Sequence, residues 1–214
     1  MTRPGDARLW LADDFFLVAL DDRTCRLGLH PSAMGVGLAG ALLGELMLWG
    51  NITIDAGRLA VVNRQPPWDV LAHSVLERLA SEQHDLHVWL AFLAQTAVDE
   101  VAARLAQRQF ITRHESRGWR RTTVTFVPTD INTVAWRPVR LETALTRREP
   151  MNPPDRLLAG LVWATDLAQR VLWNADSGAF RYLQAVVAEA DPPIRELVTQ
   201  VQAQVGNAIL SHRR

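Results

Sequence analysis

No lysine occurs anywhere in the chain, so all 23 basic side chains are arginine. A guanidinium fork matches phosphate better than an ammonium does. Excess charge of either sign is also missing, because 23 acidic residues balance the arginines and the net charge is zero. That excludes a uniformly basic surface, so any anion-binding site must be a local patch. Cys25 is the single cysteine. An internal disulfide and a cysteine-based zinc cluster are therefore impossible, and a reducing, cytoplasmic setting is expected. Its surroundings, DDRTCRLG, carry no motif, which makes it an ordinary thiol. Long apolar runs are missing too. The most apolar stretch, Gly35 to Leu48, contains Glu45 and falls short of the roughly 20 residues that cross a bilayer. No secretory pattern opens the chain, since Met1 to Arg8 lead into a segment holding Asp13 and Asp14.

The signatures of catalysis are likewise missing. The chain reads as having no G-x-S-x-G, no H-E-x-x-H, no P-loop and no dinucleotide fingerprint. The expectation is a protein that is not an enzyme and uses no cofactor. His84 and His87 lie three apart beside Glu82 and Asp85; on so polar a stretch they read as a solvated pair, not a metal site. Glu45 sits inside an apolar helix, where a carboxylate must be paired or have its pKa raised. An arginine partner is expected there, and Asp166 on a later helix invites the same expectation.

What is present is helical periodicity interrupted by two hairpins. Leu9 to Asp21 reads as a short helix capped by Asp13 or Asp14, and Asp21 to Arg26 as a polar loop. Gly35 to Leu48 is apolar on nearly every side, with Gly37, Gly40 and Gly44 letting neighbours approach, so it predicts a buried central helix. It runs into a hairpin of Asn51 to Ile54, a turn at Asp55-Ala56-Gly57, and Arg58 to Val62. After the Pro66-Pro67 break, Trp68 to Arg78 predicts a helix with Val70, Leu71, Val75 and Leu79 on one face, and His84 to Leu93 and Thr96 to Arg108 predict two more. A second hairpin follows, with strands at Phe110 to Thr112 and Arg120 to Val127 around a turn at Ser116 to Trp119. Trp136, Pro138 and Val139 are expected in an irregular segment before Leu141 to Arg147. Asp155 to Leu172 reads as one long helix capped by Asp155, and helices over Phe180 to Ala190 and Ile194 to Leu210 close the chain. The fold class is mainly α: a single globular helical domain over residues 1–214 with two short β-hairpins.

Three stretches occur in an order and at separations that resemble the Golgi phosphoprotein 3 family. They are GLAGALLGELMLWGNITI, VAARLAQRQFITRHESRGW and DRLLAGLVWATDL, and the resemblance runs from about Leu9 to Leu210. It implies a mostly helical domain, peripheral to membranes, that binds phosphatidylinositol 4-phosphate and in eukaryotic members bridges membrane to coatomer and cargo. The family's pocket tryptophan falls here on His30, and its three arginines fall on Ala39, Gln95 and Val98. Positive charge for a lipid headgroup then rests with Arg23, Arg26 and His30. The family's membrane-wedging hairpin tip corresponds to Ser116 to Arg121, where Arg117, Trp119, Arg120 and Arg121 are the expected membrane contacts. Tryptophan favours the headgroup level, and each arginine near the surface attracts anionic lipid by about 1 kcal/mol. The basic tail of eukaryotic members has no counterpart ahead of the domain, which with the all-arginine composition points to a bacterial version.

The resulting expectation is a peripheral membrane or adaptor protein, on the inner face of a membrane, whose partner is an anionic phospholipid surface. Two alternatives stand beside it. A helix followed by an arginine-tipped hairpin is also the outline of a winged helix, although Thr96 to Arg108 sets only Arg104 and Arg108 against Asp99 and Glu100 and so makes nucleic acid a poor partner. The other is a protein-interaction module without lipid contact. Oligomeric state is open.

Overall fold

The structure, a computed structural model, describes residues 9–117 and 122–211. Its centre is α2 (Pro31–Leu48), preceded by α1 (Leu11–Ala19) and followed by a hairpin of β1 (Ile52–Asp55) and β2 (Arg58–Val61). α2 starts four residues ahead of the sequence expectation. Pro31 suits a first helical position, and His30 caps the helix by accepting from the Ser32 N–H at 3.3 Å. By length and composition its 18 residues could cross a membrane, but 78% of them are buried inside the fold. The two-residue turn between β1 and β2 places Ala56 and Gly57 at φ 49° and 77°, the left-handed pair a tight hairpin needs.

The chain continues through α3 (Val70–Ser81), α4 (Leu86–Leu93) and α5 (Ala97–Gln107) into the second hairpin, β3 (Ile111–Arg117) with β4 (Thr122–Pro128). α6 (Ile131–Thr146), α7 (Pro153–Ala164), α8 (Ala168–Val171), α9 (Ser177–Ala188) and α10 (Pro192–Ser211) complete it. The mainly helical class with two small antiparallel hairpins is as the sequence predicts. α1, α4, α5, α7 and α10 all pack on α2, which explains a helix that is apolar on every side.

Several local expectations are corrected. Asp13 does not cap α1; Trp10 takes that position and its N–H donates to the Asp13 carboxylate at 3.1 Å from inside the first turn. Val70 is not a core residue but lies 86% exposed at the start of α3, whose buried face is Ala72, Val75, Leu76 and Leu79. Trp136, Pro138 and Val139 are helical. Pro138 costs α6 one hydrogen bond, and ion pairs on either side carry the helix through it, Arg137 to Asp14 at 2.9 Å and Arg140 to Asp155 at 2.8 Å. Asn152, not Asp155, caps α7, accepting from the Asp155 N–H at 2.8 Å. The single helix expected to Leu172 is broken at Asp166, which adopts φ 59° and is exposed, so it needs no buried partner.

The glycines of α2 mark its closest approaches. A Cβ on Gly35 would fall on the backbone carbonyl of Ala94, and one on Gly44 would lie 2.6 Å from Leu157 Cδ2 and 2.8 Å from Leu11 Cδ2. Side chains can adjust; the Ala94 carbonyl cannot without moving the end of α4, which Ala94 caps.

Glu45 has the arginine partner its burial demands. Arg104 of α5, 5% exposed, donates to Glu45 at 2.9 and 3.1 Å, to Asp13 at 2.8 Å and to Asp69, the α3 cap, at 2.9 Å. Arg108 reaches Asp13 at 2.6 Å. The Ala12 N–H also donates to Glu45, at 2.8 Å. Three carboxylates thus surround two guanidiniums, leaving one negative charge in excess in a dry site. Burial pushes the Glu45 carboxyl up to about 7 against the pull of Arg104, and it raises Asp13 as well. This cluster locks α5 to α1, α2 and α3.

Two measurements test this packing. In chemical denaturation, Gly35→Ala should lower stability by about 1–3 kcal/mol through overpacking. Gly206→Ala on α10, where a Cβ meets nothing within 4 Å, should raise it by about 0.5–1 kcal/mol. The charge cluster sets a pH dependence. From pH 4.5, the ordinary glutamate value, to about 7 the native Glu45 holds a proton that the unfolded chain has released. Stability should therefore be full below the lower value and fall by on the order of 3 kcal/mol as pH rises through the window. Glu45→Gln should remove most of that slope, whereas Arg104→Met should cost about 3–5 kcal/mol by stranding buried carboxylates.

Candidate functional site

The loop from Leu20 to His30 joins the end of α1 to the start of α2, and its shape comes from short-range hydrogen bonds. The Asp21 carboxylate accepts from the Thr24 N–H at 2.7 Å, the Thr24 hydroxyl at 2.9 Å and the Arg23 N–H at 3.2 Å. These bonds, the Thr24 amide foremost, hold its carboxyl below the usual carboxylate range, with Arg170 adding to them. Arg170, from α8, also donates to the Ala19 and Leu20 carbonyls at 3.2 and 3.3 Å. Cys25 adopts φ 55°, and its carbonyl accepts from the Phe126 N–H of β4 at 2.8 Å. The loop and the second hairpin are thereby joined backbone to backbone.

Between them lies a cleft of about 350 Å³. Buried Met34 and Phe126 form its floor, and Leu27, Leu29, Pro31, Val98 and Val124 form its walls. Its polar groups are Arg26, Asp99 and Arg113. Arg113 is already committed, to Asp99 at 2.8 Å and to Glu115 at 2.8 Å. Arg26 is exposed, and among the described residues its guanidinium has no hydrogen-bond or ion-pair partner.

Of the residues expected at a headgroup, then, Arg26 lies on the cleft. Arg23 sits in the exposed turn and does not line it, and His30 is occupied as the α2 cap. Of the hairpin residues, Trp119, Arg120 and Arg121 lie outside the described residues, as does the Arg117 side chain; the strands that carry them pair out to Arg117 and Thr122. Ser116 and Arg117 belong to the strand, not to the turn as expected. Val98, where the resemblance aligns an arginine, forms a wall of the cleft; Ala39 is fully buried and Gln95 is exposed away from it. Arg113 was not anticipated. Its signal was the strand alternation, which puts it on the face of Ile111 and Glu115, opposite Phe126 in the register.

Other candidates dissolve into structure. The expectation of no dinucleotide fingerprint is corrected in letter only: Gly35-Val36-Gly37-Leu38-Ala39-Gly40 has its spacing, but it lies inside α2 with every one of these residues buried, so its amides cannot cradle a phosphate. His84 bonds Glu82 at 2.8 Å and stacks edge-on against Trp89, and no group of three potential metal ligands occurs among the described residues. The basic residues of the helix before the second hairpin are spent internally, Arg104 in the buried cluster and Arg108 on Asp13, which leaves a winged-helix reader no recognition face. Cys25 is half-buried and unpaired as a disulfide.

No curated protein matches the chain significantly. Comparison with protein families matches residues 11–204 to Golgi phosphoprotein 3 (GPP34). That match spans all but the ends of the chain, both hairpins and the cleft between them, and the chain belongs to the Golgi phosphoprotein 3 family.

Proposed function

We propose that the protein is a non-enzymatic peripheral membrane or adaptor protein that binds anionic phospholipid. One observation carries the reading: the arginine-bearing loop and the second hairpin are joined at Cys25 and Phe126 around one apolar cleft. Arg26, with Arg23 nearby along the loop, supplies the basic edge that meets a headgroup, while His30 serves as the cap of the helix that follows. Arg117, Trp119, Arg120 and Arg121 anchor the hairpin, the tryptophan at headgroup level and the arginines on anionic lipid. The family's association with phosphatidylinositol 4-phosphate makes that lipid one candidate headgroup. Family membership also favours an adaptor over a catalyst, in keeping with the missing catalytic motifs.

The test is co-sedimentation with vesicles of neutral lipid, of generic anionic lipid, and of anionic lipid doped with phosphatidylinositol 4-phosphate, at low and physiological salt. Binding to any anionic vesicle that weakens with salt is the expected result. Trp119→Ala should weaken it about tenfold, on the order of one buried aromatic side chain. Neutralising any one of Arg117, Arg120 and Arg121 should weaken it about fivefold, corresponding to about 1 kcal/mol. Unfolding curves of each variant, matched to the parent, separate lost binding from lost fold. Absence of binding to every vesicle would refute the lipid reading.

A further inference from the structure

We infer that the cleft beside Arg26 takes a single acyl chain carrying one negative charge at its end. This deepens the lipid reading by naming what enters the same site, and it rests on that reading only for its setting at a membrane. The walls decide the class of ligand. Leu29, Met34, Val98, Val124 and Phe126 offer apolar surface with no side-chain polar atom among them. About 350 Å³ lies within the range of roughly 300–1,000 Å³ typical of small-molecule sites, which are mostly apolar with a few placed polar groups.

The charge count decides the head. Arg113 is matched by Asp99 at 2.8 Å and by Glu115 at 2.8 Å, so it offers no free positive charge. Arg26 remains as the unmatched cation on the cleft among the described residues. Two carboxylates on Arg113 leave one surplus negative charge on the rim, so Arg26 complements no more than a single carboxylate or phosphodiester carried on a hydrocarbon tail. A multiply charged headgroup would find only one of the cations it needs. Val98 contributes directly, since an arginine there would fill the apolar wall with a charge.

The ligand chemistry has two sources, a free fatty acid or the tail of a monoanionic lipid, and the experiment tells them apart. The full chain is titrated with a fluorescent fatty acid, and the probe is displaced by octanoate, decanoate and dodecanoate, by lyso-phosphatidylglycerol of matched chain length, and by inositol phosphates without a tail. Displacement should strengthen about three- to fourfold for each added methylene until the cleft is full, and the tailless phosphates should not compete. Whichever of the fatty acid and the lyso-lipid displaces more tightly identifies the source. Val124→Trp, which fills the cleft from the hairpin, should abolish probe binding. Arg26→Ala should weaken the fatty acid about tenfold and leave the corresponding fatty alcohol unchanged. Both positions are at least partly exposed, and matched unfolding curves confirm the fold.

The inference is overturned if the folded protein binds no acyl probe, if Val124→Trp binds it as the parent does, or if tailless inositol phosphates displace it as well as dodecanoate. Vesicle co-sedimentation keeps the two readings apart. A protein that sediments with anionic vesicles yet binds no acyl probe refutes this inference alone. One that binds the probe with the stated chain-length dependence but no vesicle upholds it and refutes the membrane reading.

Discussion

Arg104 is the interaction on which the rest of the structure depends. One guanidinium, almost wholly buried, satisfies carboxylates from α1, α2 and the start of α3 at once. A buried charge is tolerated only when paired and hydrogen-bonded, so these four segments have one acceptable arrangement around it. Exchanging the cluster for hydrocarbon could leave stability unchanged or higher; what it supplies is register. α5 can neither slide nor rotate against α2 without breaking a fork whose nitrogens are all committed. The wall of the cleft at Val98 lies less than two turns from that fork, and its position is inherited from it.

Much of the architecture was legible because its signals are local. An apolar helix studded with glycines, a hairpin announced by Asp-Ala-Gly, and a carboxylate stranded among leucines each state a requirement that few structures meet. Glu45 required an arginine, and the fold supplies one. The errors also have local causes. Pro138 looked like a break because its lost hydrogen bond is visible in sequence, whereas the ion pairs on either side of it come from distant residues. Asp166 looked like helix because a left-handed aspartate ends a helix without the glycine that usually marks the place. Val70 matched the apolar spacing of α3, but Asp69 is drawn inward by Arg104, and the helix turns Val70 outward.

The candidate site was less legible, and for a definite reason. Its residues come from a loop, a helix start and two strands that meet only in the folded chain, so no spacing in the sequence reports them. Arg26 could be noticed as a charge near the central helix. That Arg113 would face it, already neutralised by Asp99 and Glu115, depends on strand register and on the packing of β3 against α5. The replacement of an expected arginine by Val98 was visible, but its meaning was not: it makes a wall, and the character of the cleft shifts from ionic to apolar.

Cys25 has a consequence of a different kind. It is the single thiol of the chain, half-buried in the loop whose carbonyl is tied to the hairpin by the Phe126 amide. No lysine competes for electrophilic reagents. A maleimide dye or spin label directed to thiols has this one cysteine as its target, one residue from Arg26 on the cleft. Its spectrum would follow the loop and the hairpin together, giving the native protein a built-in reporter at the place where its function is argued to lie.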